Sequence, residues 1–296
     1  MDQPESLELG QPETYHNLRL YPVHANNSFL KRRKNVSNYL TLKESIDQGK
    51  VVVTEHVAPG TPGREAQADV NTLFIENNSL DTVLILNGEV VQGGNQDRMV
   101  TTDVVLAPHS GRLDLAVFCV ERGRWAEQSG EFKIQEHSLP PNDVRSVVSV
   151  PATHQGDVWD QVQVSLNLNL IESPSDDIMD LKSDDEYLKK ISQYSDVLGK
   201  VFSKTDDIIG VIAVSGDGVI GCDLFASPAL FAKHFPNLLQ SYAAQAQSGQ
   251  DIKIKPDEIR NYWRRVMGML KREGGFLRTK GERGEENQVH FSMGTE

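Results

Sequence analysis

The residues best equipped for chemistry lie between Gly88 and Trp125. Gln92-Gly93-Gly94-Asn95-Gln96-Asp97-Arg98 packs amides, a carboxylate and a guanidinium around two glycines. The planar donor fork of arginine suits carboxylate or phosphate oxygens. Glycines either let backbone amides approach a ligand or bend the chain into a tight turn. The same composition fits a polar hairpin turn whose groups meet only water and one another. Further along, strand alternation puts Leu113, Leu115, Val117, Cys119 and Glu121 on one face. Glu121 thus ends an apolar row. A carboxylate there either reaches solvent or needs a cation, because unpaired burial is costly. Arg98, Arg122 and Arg124 are candidate partners, and Trp125 follows at once. Two readings stay open: a structural Glu–Arg pair under a tryptophan lid, or a ligand pocket with Glu121 as acid/base or hydrogen-bond acceptor.

Other chemistries have less to stand on. The histidines are scattered, with neither His-x-x-x-His nor His-Glu-x-x-His spacing, so no metal ligands are assigned. A metal-dependent hydrolase would need His24, His56 or His109 to converge on Glu121. No Gly-x-Ser-x-Gly elbow is present, and Cys119 has no identifiable histidine partner. Cys119 and Cys222 both lie in apolar runs and read as small buried hydrophobes. Ser215-Gly216-Asp217-Gly218 looks like half of a phosphate loop, but it joins two strands and reads as a hairpin turn.

Thirty basic side chains against forty-two acidic ones give a net charge of −12, which repels nucleic acid and anionic membranes. The basic run Lys31-Arg32-Arg33-Lys34 reads as an exposed loop. No stretch approaches the roughly 18 apolar residues of a membrane helix. The start, Met1-Asp2-Gln3-Pro4-Glu5, lacks the basic and apolar regions of a secretory signal, so a cytoplasmic location is expected.

The elements that must position the polar segment read as α+β. The expectation is an N-terminal antiparallel β-sandwich or open barrel over residues 1–140, then an α+β region over 141–296. Strands are expected at Asn17–Val23, Val51–Val57, Asn71–Glu76, Thr82–Asn87, Arg98–Leu106 and Leu113–Val120, with a turn at Pro59–Gly63. A short helix is expected to start at Thr41 as its cap and stop at Gly49. In the second half, Val158, Val162 and Leu166 mark one face of a helix over 155–170. The acidic stretch from Ser173 to Asp185 reads as a loop or short-helix connection. A hairpin is expected over 208–225. Ser227-Pro228 then opens a helix over 228–247 that Pro236 should kink or divide. A last helix over 256–272 should end at Gly274-Gly275, with a mobile stretch from Thr279 to Glu286.

Taken together, Leu84–Glu89, Gln92–Arg98 and Phe118–Trp125 resemble the ARG and Rhodanese-Phosphatase-superfamily-associated Protein domain family. Gln155 with Val158-Trp159, Asp223-Leu224-Phe225 and Leu238–Tyr242 carry the resemblance over roughly Leu18 to Phe276. It marks Glu89, Gln92, Gly93, Gly94, Gln96, Asp97, Arg98, Cys119, Glu121 and Trp125 as motif positions without assigning them roles. It implies, by association, a nucleotide-like or ADP-ribose-like ligand. Polar Gly281–Gln288 departs from the family pattern, so the closing strand is expected to be short or absent. The resulting expectation is a small anionic ligand bound by Glu89, Gln92, Gly93, Gly94, Gln96, Arg98 and Trp125, with Glu121 and Asp97 as catalytic carboxylates. No cofactor is assigned. The rival is a non-enzymatic interaction or regulatory module working through helix 228–247 or the basic loop.

Overall fold

A computed structural model of the chain describes residues 7–32, 38–57, 68–125, 130–148, 150, 152–203, 206–272 and 289–293. The expected turn at Pro59–Gly63, the basic residues Arg33 and Lys34, the Gly274-Gly275 stop and the stretch from Thr279 to Glu286 lie outside the described residues.

In chain order the first elements are β1 (Leu7–Leu9), β2 (Glu13–Tyr15), β3 (Leu18–Ala25) and α1 (Asn27–Arg32). Then come β4 (Leu40–Thr41), α2 (Leu42–Asp47), β5 (Val51–Val57), β6 (Ala68–Asn77) and β7 (Val83–Ile85). The polar segment carries β8 (Val90–Val91), β9 (Arg98–Val100), β10 (Val104–Leu106) and β11 (Gly111–Cys119). Helices α3 (Asn142–Val147), α4 (Gln155–Leu168), α5 (Asp185–Tyr194) and α6 (Lys200–Phe202) follow, with a 3-10 turn at Ile178–Ser183. The chain then runs through β12 (Ile208–Ser215), β13 (Gly218–Phe225), α7 (Pro228–Gln247), α8 (Pro256–Arg272) and β14 (His290–Met293). The protein is α+β.

Two compact units emerge: Leu40–Leu188, and Met1–Tyr39 together with Lys189–Glu296. The grouping follows strand pairing rather than sequence order, because β3 pairs along its length with β12.

The Leu40–Leu188 unit holds the polar segment. One sheet runs β5-β6-β11-β9-β8 and a smaller one β10-β7-β4. Val53, Leu73, Ile75, Leu115 and Val117 from the first meet Val83, Ile85 and Leu106 from the second in one core. Each such side chain removed from water contributes about 1.5–3 kcal/mol before entropy is subtracted. Thr41 caps α2 as expected: Glu44 N donates to Thr41 Oγ1 over 3.1 Å, and Thr41 N returns a bond to Glu44 Oε2. Gly49 ends it at φ +64°. The expected single strand Arg98–Leu106 is instead two, β9 and β10, in different sheets. The chain turns between them at Thr101–Asp103, where period-two patterning is blind to a change of sheet. In α4, Val158, Val162 and Leu166 are buried as the spacing predicts.

The other unit is a sheet in the order β1-β3-β12-β13-β14, with β2 also on β3. Leu18 and Leu20 are fully buried in it. Helix α7 lays Leu230, Phe231, Phe235, Leu238 and Leu239 into the core of this unit. It is continuous through Pro236, so the proline does not divide it. Its buried face outweighs a helix-interior proline cost of about 3 kcal/mol. The closing strand is present and four residues long. Within it, His290 Nε2 lies 2.9 Å from Asp223 Oδ1, and Tyr242 OH donates to Asp223 Oδ2.

Candidate functional site

Strand β9 lies between β11 and β8, and its first residue, Arg98, is in register with Cys119 on one side and Val91 on the other. Asp97 stands just before the strand, and it and Arg98 bond to different groups.

Asp97 belongs to a carboxylate cluster. Gln92 Nε2 donates to its Oδ2 over 2.7 Å and the Gly93 amide to its Oδ1 over 3.2 Å. Its own amide donates to Glu121 Oε2 at 3.1 Å. Arg124 spans the group. Its Nε donates to Glu121 Oε1 at 2.8 Å, and its Nη2 lies 2.6 Å from Glu121 Oε2 and 3.0 Å from Asp97 Oδ1. Its Nη1 donates to the Gly94 carbonyl at 2.9 Å. Of the three arginines that the sequence offers to Glu121, the one bonded to its carboxylate is Arg124.

A third carboxylate comes from far along the chain. Glu121 and Asp177 form an isolated antiparallel bridge, and the Ile178 amide donates to Val120 O at 3.2 Å. Asp177 Oδ1 also caps the 3-10 turn by accepting from Met179 N at 2.9 Å. Oxygens of Asp97, Glu121 and Asp177 all lie within 4.8 Å of one another, a grouping that could hold a cation. Burial, and next the charge of Asp97, push the Asp177 carboxyl up to about 8. Burial also raises Asp97, against the hydrogen bonds from Gln92 and Gly93. Asp177 therefore holds its proton at neutral pH, which relieves repulsion among three acids served by one arginine.

The two glycines shape this turn from inside the protein. Gly93 and Gly94 adopt φ +136° and +49°, backbone that side chains resist. A Cβ on Gly94 would lie 2.3 Å from Glu55 Oε1 and 2.4 Å from Phe132 Cζ.

Arg98 is the largest fully buried side chain among the described residues. Its Nη1 donates to Gln96 Oε1 at 3.2 Å, and Gln96 Nε2 in turn donates to Glu121 O at 2.7 Å. Its Nε and Nη2 are buried and find no acceptor among the described residues. The ring of Trp125, a side chain 55% exposed, has the Arg98 guanidinium carbon 5.9 Å from its centroid. The sequence expectation of a tryptophan over this region thus has a cation beneath it.

Glu89 sits in a different cluster. Its Oε2 accepts from Leu86 N at 2.9 Å, and Asp103, Arg145 and Ser138 surround it. Burial raises its pKa to about 7. Arg145 there reaches Asn87 through Nε at 3.1 Å and Nη2 at 3.0 Å. No histidine joins the carboxylate group among the described residues. His56 lies against Phe74 and 3.9 Å from Asp114, and His24 Nδ1 lies 3.1 Å from Asp207.

Sequence reasoning missed Asp177, which it read as part of an acidic connection, and gave Trp159 no role. No local spacing marks Asp177, since a nonlocal backbone bridge delivers it. An open cleft of about 470 Å³ adjoins this segment, lined by Leu166, Asn167, Ile171, Glu172, Pro174 and Asp176. None of the residues that the sequence nominates lines it.

The fold and the site define an α+β protein whose packed sheets bury an arginine-bridged carboxylate cluster and a second arginine that has no carboxylate partner among the described residues. The chain belongs to the ARG and Rhodanese-Phosphatase-superfamily-associated Protein domain family, which it matches over residues 6–293. Curated proteins and solved structures give no match. Among the described residues, no helix is long and apolar enough to cross a membrane.

Proposed function

We propose that the protein binds a small anionic ligand at Arg98 beneath Trp125. The observation that carries this reading is the buried Arg98 edge. A guanidinium removed from water costs several kcal/mol unless its donors are met. Here Nε and Nη2 are not met by the described residues. These two donors form one side of the guanidinium plane, the side that accepts both oxygens of a carboxylate or phosphate. Trp125 adds an exposed ring on which a base can stack, so an anionic nucleotide-like or ADP-ribose-like molecule suits the pair.

Gln96 orients the guanidinium through Nη1. Gln92, Gly93 and Gly94 support the neighbouring turn, and Glu89 acts further off. If the ligand is transformed, the acid/base groups are Glu121 and Asp97, with Asp177 as the carboxyl that holds a proton at neutral pH. A metal-dependent hydrolase would instead place a cation among those three, but Arg124 already neutralises two of them. Metal analysis of the purified protein separates the two readings.

The direct test is ligand-induced thermal stabilisation by AMP and ADP-ribose. Arg98→Met keeps the volume of the side chain and should abolish that stabilisation while leaving a folded protein. A variant that unfolds, or one still stabilised by the ligands, sinks the proposal.

A further inference from the structure

Away from Arg98, the end of helix α4 carries leucines that the fold does not use. Val158, Val162 and Leu166 fill the core side of this helix. Its solvent side should then be polar. Yet Val164 and Leu168, one turn apart on one face, are 47% and 55% exposed, and Leu170 just beyond is 90% exposed. Nine large hydrophobic side chains are exposed among the described residues, and these three fall between positions 164 and 170. A lone exposed leucine needs no explanation, but a cluster marks a contact surface.

Leu170 is unfavourable on two counts. The Ile171 amide donates to Leu166 O at 3.0 Å and the Leu170 amide to Asn167 O at 3.1 Å, which closes α4 as a Schellman turn. The left-handed position of that turn, where glycine is usual, is Leu170 at φ +58°. A leucine there strains the backbone and gains nothing from burial. Such a residue points to a use outside the fold.

The cleft of about 470 Å³ opens along the same stretch. Leu166, Asn167 and Ile171 line it, and Glu172 and Asp176 bring carboxylates. Gln163 Nε2 donates to Asp176 Oδ2 at 3.3 Å, which ties the acidic loop to the helix. From Gln155 to Asp177 the chain has five acidic residues and no lysine or arginine. One of them, exposed Asp160, stands one turn before Val164.

We propose that this end of α4 docks a basic amphipathic segment of a partner protein. Apolar side chains of the partner cover Val164, Leu168 and Leu170, and a lysine or arginine enters the cleft toward Glu172 and Asp176. Charge complementarity sets the chemistry of the occupant, and the same acids repel an anionic membrane. The basic amphipathic helix of this chain is α8, but its Ile259, Tyr262, Val266 and Leu270 are already buried. The occupant is therefore a different protein rather than a second copy.

Fluorescence anisotropy with a labelled helical peptide of leucine and lysine tests the site, with a leucine–glutamate peptide as control. Wild type should bind the lysine peptide and ignore the other. Leu168→Ser with Leu170→Gly should weaken binding about tenfold or more, as should Glu172→Gln with Asp176→Asn. Glu8→Gln with Asp217→Asn removes the same charge at exposed positions elsewhere and should change binding less than about twofold in physiological salt. Leu170→Gly alone relieves the left-handed backbone, so it should weaken binding while Tm stays level or rises. The site is overturned by equal weakening from the two charge pairs, by leucine variants that bind as wild type does, or by a wild type that ignores the lysine peptide. A fall in Tm for Leu170→Gly also overturns it, because the leucine then serves the fold. So does wild-type binding to phosphatidylcholine vesicles, or a dimer in sedimentation that the leucine variants dissolve, since either puts another occupant on the leucines.

Discussion

Arg124 turns its Nε–Nη2 edge onto both oxygens of Glu121, at 2.8 and 2.6 Å, and gives Nη1 to the Gly94 carbonyl. Arg98, more deeply buried, gives Nη1 to Gln96 and leaves the same Nε–Nη2 edge without an acceptor among the described residues. One unit of the protein thus contains the edge both filled and free. The filled edge meets two oxygens in one plane, the arrangement that the proposed ligand would offer to the free one. It also separates two jobs that the sequence presents together. Arg124 neutralises internal acids, whereas Arg98 has no carboxylate partner among the described residues.

Three measurements strain that contrast. The largest effect is expected at Arg124. Arg124→Met leaves Asp97, Glu121 and Asp177 facing one another without their cation, which should cost about 3–5 kcal/mol in urea unfolding. A loss below about 1 kcal/mol would mean that the filled edge contributes no more than a surface pair.

Next in size is Glu89, a third kind of buried charge, raised to about 7 by its burial. The unfolded chain releases this proton near 4.5, whereas the folded protein keeps it to about 7. Over that window the folded state binds more protons, so stability falls as pH rises from about 4.5 to about 7 and then levels off. The span corresponds to roughly 3 kcal/mol. Glu89→Gln should remove this decline, so wild type and variant converge near pH 5 and separate by pH 8. Parallel pH profiles would show that Glu89 ionises normally.

The smallest stability change is expected at Arg98, and there the contrast is sharpest. Replacing a buried charge that has no counterion among the described residues by a methionine of similar volume should leave the unliganded protein within about 1 kcal/mol of wild type, or more stable. A loss as large as that of Arg124→Met would show that Arg98 is a structural residue.

Much of this arrangement is legible along the chain. The cap at Thr41, the stop at Gly49, the hairpin around Gly216 and the cap at Ser227 are local, set by hydrogen bonds within a few residues. So is the row from Leu115 to Glu121, which follows from period two. Leu113, at the exposed start of that row, is 43% exposed because burial depends on what covers a strand end. The split of Arg98–Leu106 between two sheets has no local mark.

The sequence alone determined which side chains gather in the polar segment, that Glu121 would either reach solvent or need a cation, and which arginines and tryptophan stand nearest to it along the chain. Only the tertiary structure decided the partners. It gave Glu121 to Arg124 rather than Arg98, brought in Asp177 across a backbone bridge, and placed Trp159 beside the thiol opposite Arg98. Residue types and strand period are properties of neighbours in the chain. Which buried charge finds a counterion depends on groups that meet only when distant segments pack, and the low dielectric of the interior makes that choice decisive.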